Sequence, residues 1–192
     1  MKKLLITGFD PFGGEKINPA WEAVKLLPET VGEYMLCKLE IPTVFGFAAE
    51  KVLEKATQLQ PDAILCIGQA GGRAAVTPER IAVNIRDARI RDNAGNSPKG
   101  AFCVDGAPAA YFATVDFAAM ASAICEVGLP GAVSNSAGTF VCNDTLFTLL
   151  HHYTGSDVKI GFIHVPFLPE QGTPSMPLAD TAKALEAAIK AI

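Results

Sequence analysis

Short, uninterrupted apolar runs recur along this chain, each followed by a stretch with helical periodicity, and this alternation constrains the fold more than any other feature. Leu4-Leu5-Ile6, Ala63 to Ile67 and Ile160 to Ile163 carry no alternating polar face, the pattern of strands covered on both sides. Between two of them Phe45, Ala49, Val52, Ala56 and Leu59 fall on one face of a helix. Strands and helices in this order predict an α/β chain: a three-layer α/β/α sandwich around a twisted mixed, mostly parallel sheet. With 192 residues, 49% of them hydrophobic, the chain is long enough for one sizeable core, so residues 1–192 are read as a single catalytic domain.

The pattern places a strand over Lys2 to Thr7 and a helix capped by Asn18, with Pro19 at its first position. Met35 to Ile41 alternates with one wetter face, as near a sheet edge. Further strands are expected at Ile81 to Ile85, Ala132 to Ser134 and Val158 to Val165. Further helices are expected at Ala113 to Val127, Asn143 to Tyr153 and Leu178 to Ile192. From Asp87 to Pro108 the chain is polar and turn-rich, an excursion of loops with room for a hairpin.

Sixteen basic and twenty acidic residues give a net charge of −4 and no basic run, which argues against nucleic acid and anionic membrane as partners. Only Leu4-Leu5-Ile6 follows Met1-Lys2-Lys3 before Thr7 and Asp10, too short for a signal peptide, and Asp116 interrupts the apolar stretch from Ala107 to Cys125. A cytoplasmic location and no transmembrane segment are expected. Five cysteines without a CxxC pair read as free thiols. No HExxH pattern or complete phosphate-loop motif occurs, so neither a metal nor another cofactor is expected.

Ligand sites in open α/β sheets collect beyond the carboxyl ends of strands. Residues Gly8 to Gly14, Gly68 to Arg73, Ser134 to Cys142, and His164 to Pro166 occupy such points. Cys142 opens a helix, where the dipole favours a thiolate, and it is the one cysteine placed to be nucleophilic. His164 ends an apolar strand and is the candidate base, whereas His151 and His152 close a helix. Glu79 lies against buried structure, either as the acid of a Cys-His-acid triad or simply in a salt bridge with Arg80 or Arg73. Spacing alone does not bring the three together.

The motifs T-G-F-D-P-F-G-G at 7–14, G-Q-A-G-G-R at 68–73, T-P-E-R at 77–80, D-A-R-I at 87–90, S-N-S-A-G-T-F-V-C-N at 134–143 and H-V-P-F-L-P-E-Q at 164–171 together resemble the pyrrolidone carboxyl peptidase family, or pyroglutamyl peptidase type I. The resemblance runs nearly end to end. It implies a cysteine peptidase with the triad Glu79, Cys142 and His164, acting on small peptides with an N-terminal pyroglutamate. It also implies a pocket of Phe9, Phe12, Thr43, Ile90, Phe140 and Val141, an oxyanion site at the Cys142 amide with Arg89 nearby, and a homotetramer. Arg91 stands where that family's pattern leads to proline, which opens the question of how the wall from Arg91 to Lys99 is held.

A lactam carries no ammonium, so an aromatic cavity suits it, with the lactam N–H and C=O taking partners near Asn18. Two rival readings are a nucleoside-phosphorylase-like transferase, which needs an arginine-rich phosphate pocket, and a binding domain without turnover.

Overall fold

The structure, a computed structural model, describes Met1–Ile192. In chain order it contains β1 (Lys2–Phe9), α1 (Pro19–Leu26), β2 (Thr30–Val31), β3 (Tyr34–Ile41), α2 (Phe47–Leu59), β4 (Ala63–Gln69) and β5 (Thr77–Pro78). These are followed by β6 (Ile81–Val83), β7 (Ala110–Phe112), α3 (Phe117–Glu126), α4 (Val141–His152), β8 (Lys159–Val165) and α5 (Leu178–Ile189). Six strands form one sheet in the order β2-β3-β1-β4-β8-β5, and β6 pairs with β7 in a separate ribbon. Strands β3, β1, β4 and β8 run parallel, while short β2 and β5 close the two edges antiparallel. The expected mixed, mostly parallel sheet is present.

Strand pleating divides the core into two layers. Leu4, Ile6, Leu65, Ile67, Ile163 and Val165 point to one side, against α1, α3 and α5. Leu5, Ile64, Ile160 and Phe162 point to the other, against α2 and α4. Phe147 and Phe162 are almost wholly buried, and burial of one such side chain contributes about 1.5–3 kcal/mol. Helix α1 approaches β1 so closely that a Cβ on Gly8 would lie 2.5 Å from the Trp21 Cα. Asn18 fixes its start, its Oδ1 accepting the Ala20 N–H at 3.0 Å.

Four expected elements differ. Ala132 to Ser134 forms no strand and contributes only a bridge between Ser134 and Glu79. The run from Ile81 stops at Val83 and leaves the main sheet, because the Asn143 side chain takes over its hydrogen bonds: Oδ1 accepts the Val83 N–H, and Nδ2 donates to the carbonyls of Val83 and Ile85. The helix expected from Ala113 begins at Phe117 instead, capped by Asp116 Oδ1 on the Ala119 N–H. Ala113 and Thr114 are drawn to the Arg80 and Ile160 carbonyls. Helix α4 begins at Val141, so Cys142 lies inside its first turn.

Candidate active site

Strands β4 and β8 set the frame, pairing Gly68 with His164. Cys142 descends onto this pair from α4: a Cβ on Gly68 would lie 3.0 Å from the Cys142 Sγ and 2.8 Å from the Phe162 Cζ. Glycine is what leaves room for the sulfur. Phe162 shares a strand face with His164, and their ring centroids are 4.8 Å apart. Glu79 arrives from the edge, just after β5, where Thr77 pairs with His164 and the Glu79 N–H donates to the Phe162 carbonyl. His164 Nδ1 and Glu79 Oε1 are 2.7 Å apart. Opposite a carboxylate, Nδ1 is the donor, which leaves Nε2 as the ring's acceptor.

Burial dominates the electrostatics. It pushes the Cys142 thiol up to about 12, with the Glu79 charge and the nearby Cys66 adding to the effect. The lowering expected from the helix N-terminus is therefore overridden in the free protein, since a thiolate leaving water loses more than a partial dipole returns. Cys142 as a whole residue is nonetheless only part-buried. Burial also holds the His164 imidazole below its usual 6.5, although the Glu79 carboxylate pulls the other way. At Glu79 burial works against the charge, but the hydrogen bond and charge of His164, with the Arg73 guanidinium, outweigh it and keep the carboxyl below its usual range. These directions favour a neutral thiol, a neutral imidazole and a carboxylate in the resting site.

Arg73, the guanidinium at the end of the glycine-rich segment, is Glu79's cationic partner, with Nη1 at 2.7 Å from Oε1. Arg80 instead lies over the Phe117 ring, 5.3 Å from its centroid. Helix α4 has no side-chain cap at Phe140, so the amides of Val141, Cys142 and Asn143 have no intrahelical partner and could serve a developing oxyanion, whereas the Asp144 N–H already donates to the Phe140 carbonyl. The approach to α4 is tied to the segment carrying Arg89: Thr139 and Asp87 exchange backbone carbonyl contacts, with the Asp87 N–H donating at 2.9 Å and the Thr139 hydroxyl at 2.8 Å. Arg89 itself is exposed.

The expected pocket residues divide into three groups. Phe12 and Phe140 are neighbours at 6.1 Å, with Phe45 edge-on to Phe140 at 5.2 Å, while Ile90 is exposed close to Gly13. Phe9 and Val141 are buried beneath, Phe9 against Phe162. Thr43 and Asn18 are buried knots whose polar atoms are already used: the Thr43 hydroxyl and Asn18 Nδ2 both donate to the Asp10 carbonyl. The sequence pattern puts Phe45 in a core stripe, and only its edge-on contact with Phe140 assigns it to the aromatic group. Arg91 is exposed and leaves its segment anchored, because Asp92 accepts from Phe45, Ala94 and Asn96, and Asn93 Nδ2 reaches Asp10 Oδ1 at 3.0 Å. No three His, Cys, Asp or Glu side chains converge to hold a metal. No helix is long and apolar enough to cross a membrane.

The sequence profile described as Pyroglutamyl peptidase matches residues 2–192. A pyrrolidone-carboxylate peptidase of Clostridium perfringens is 50% identical over 197 aligned residues, covering 99% of this chain and 92% of its own. One from Bacillus cereus is 49% identical with the same coverage. Among solved structures, pyroglutamyl peptidase I of Bacillus amyloliquefaciens superposes with a TM-score of 0.96 at 43% identity, covering 100% of this chain and 96% of its own. Pyrrolidone carboxyl peptidase of Thermococcus litoralis reaches 0.95 at 37%, covering 100% and 93%.

Proposed function

Because the chain belongs to the pyroglutamyl peptidase family, a family of cysteine-type omega-peptidases, we propose that it removes the N-terminal pyroglutamyl residue from peptides through Cys142, His164 and Glu79 and an acyl-enzyme intermediate. The observation that carries this reading is the convergence on one strand pair: the Cys142 sulfur over Gly68, His164 beside it, and Glu79 Oε1 2.7 Å from His164 Nδ1.

The reaction begins from neutral partners. His164 Nε2 takes the thiol proton as sulfur attacks the pyroglutamyl carbonyl, so charge is created only when substrate fills the site and the attack consumes it. Glu79 steadies the imidazolium. The oxyanion forms at the start of α4 against the Cys142 amide with Arg89 nearby, where one preorganised donor is worth about 2.7–4 kcal/mol. The imidazolium then protonates the leaving amine, and water, activated by the same ring, releases pyroglutamate.

Phe12, Phe45 and Phe140 take the lactam ring, with Ile90 at the rim and Phe9, Thr43 and Val141 supporting the cavity from below. Since the Asn18 side chain already caps α1 and holds the Asp10 carbonyl, its part is to fix the loop that faces the lactam. Cytosolic action and assembly as a homotetramer complete the reading; exposed Phe102 and Phe112 supply apolar surface for assembly, and sedimentation velocity tests it.

The deciding experiment is hydrolysis of a chromogenic pyroglutamyl amide by the wild type and by Cys142→Ser. Turnover in the first and its loss in the second are expected; equal rates from both pure proteins would overturn the mechanism.

A further inference from the structure

Both contacts that fix the Glu79 carboxylate fall on one of its two oxygens. Oε1 faces His164 Nδ1 and Arg73 Nη1, each at 2.7 Å, whereas buried Oε2 has no hydrogen-bond partner. The Ser134 hydroxyl next to it is turned to the Ser136 carbonyl. Arg73 does more than neutralise. The same Nη1 donates to Thr77 Oγ1 at 2.7 Å, and Nη2 donates to the Ser136 carbonyl at 2.9 Å. One guanidinium therefore joins the segment after β4, the strand that delivers Glu79, and the loop that leads to Cys142.

We propose that Arg73 is a positioning residue of the reaction, clamping the Glu79 carboxylate so that Oε1 remains an acceptor aimed at His164 Nδ1. This deepens the function proposed above and rests on it. Glu79 is 0% exposed, and a buried carboxylate without a cation tends to take up a proton. A protonated Glu79 would donate to Nδ1, moving the ring proton to Nε2 and removing the lone pair that accepts from the thiol. The wrong tautomer is an inactive one. The charged groups facing His164 are Glu79 and Arg73, with the Cys142 thiol above Gly68 and Cys66 nearby on β4. Removing Arg73 leaves a buried anion uncompensated, so the contact differs from an ordinary surface ion pair.

The test uses Arg73→Gln and Arg73→Lys. Imidazole nitrogen shifts of His164, which separate tautomer from protonation, and kcat/KM are both followed against pH. Without the cation, the Glu79–His164 pair should take up its first proton at a pH higher by about one unit, with the acid limb of kcat/KM moving alongside. Arg73→Lys, which keeps the charge but not the fork that spans Glu79, Thr77 and Ser136, should leave both pH positions near the wild type while lowering kcat. In a Glu79→Gln background, Arg73→Gln should add only the smaller displacement that follows from losing its direct charge effect on His164. An unmoved titration in Arg73→Gln, with activity lowered by the same factor at every pH, would make the contact merely structural and overturn the proposal. If Arg73→Gln does not fold, Arg73→Lys decides: a lower kcat at constant KM supports positioning, and an unchanged kcat overturns it. A wild type that leaves pyroglutamyl amides intact would sink the peptidase reading, while the His164 titration would still judge Arg73.

Discussion

Gly68 and Cys142 share one space: the missing Cβ of the glycine is the room in which the thiol sits, 3.0 Å from where that carbon would be. The same carbon would lie 2.8 Å from the Phe162 ring. Gly68→Ala must therefore displace the sulfur, the ring or the strand. Overpacking of this kind costs about 1–3 kcal/mol, and a nucleophile shifted by about 1 Å loses about 10²-fold in rate. Thermal unfolding and kcat measured together check this; full activity with an unchanged melting temperature would mean that the sulfur is held elsewhere.

Removing the proposed nucleophile or base should be far more damaging than removing any single pocket contact. Cys142→Ser and His164→Ala are each expected to reduce kcat by about 10⁴ or more, since neither can attack without the other. Glu79→Gln preserves the shape but loosens control of the tautomer, and a loss of about 10² or more is expected. Circular dichroism would establish that the folds are intact. An active His164→Ala variant would refute the assignment of the base.

Because burial pushes Cys142 up to about 12, its alkylation in the free protein should keep rising with pH through about 8 to 10 instead of levelling off near neutrality. Cys125 is exposed and should be labelled early without loss of activity, so inactivation tracks Cys142 alone, and a pyroglutamyl analogue slows it. Peptide mapping against residual activity is the check. A plateau in the inactivation rate near pH 7 would indicate a resting thiolate and contradict the neutral pair.

The acid limb of kcat/KM should lie below pH 6.5, because burial lowers His164 and only the neutral ring accepts the thiol proton. The same shift has a sign for stability. Both His164 and Glu79 lie below their usual values, so their contributions are complete above the unfolded values and are lost as pH falls through the folded ones. Denaturant unfolding from about pH 7.5, roughly one unit above the usual histidine value, down to about pH 4, just under the usual glutamate value, should show stability declining from about 6.5 downward. An acid limb above 6.5 would contradict this.

Pyroglutamyl amides should be cleaved and prolyl amides rejected. A prolyl nitrogen is cationic near neutral pH and would lose its water among Phe12, Phe45 and Phe140, while any donor aimed at the lactam carbonyl would stay unpaired. Sites built around a polar group reject analogues lacking it by about 10⁴ or more. With matched leaving groups, a kcat/KM ratio within about tenfold, or about 1.4 kcal/mol, would show that the pocket is built differently.

What the sequence determined alone is whatever depends on neighbours along the chain. Apolar runs and helical stripes gave the layers, because period and burial are local properties; Asn18-Pro19 announced a helix start for the same reason. Residue chemistry narrowed the candidate nucleophile to Cys142 and the candidate base to His164. Ala132 to Ser134 misled because a short apolar segment carries no information about whether an edge is available to pair with it. Three matters needed the tertiary structure. Glu79 meets His164 across 85 residues because β5 folds back antiparallel on β8. Its cation is Arg73, since Arg80 is taken by the Phe117 ring. Cys142 is pushed toward the neutral thiol because burial, a sum over every element packed around it, outweighs the helix dipole that the sequence could reveal. A dipole is set by the chain's next few residues, whereas desolvation is set by all the others.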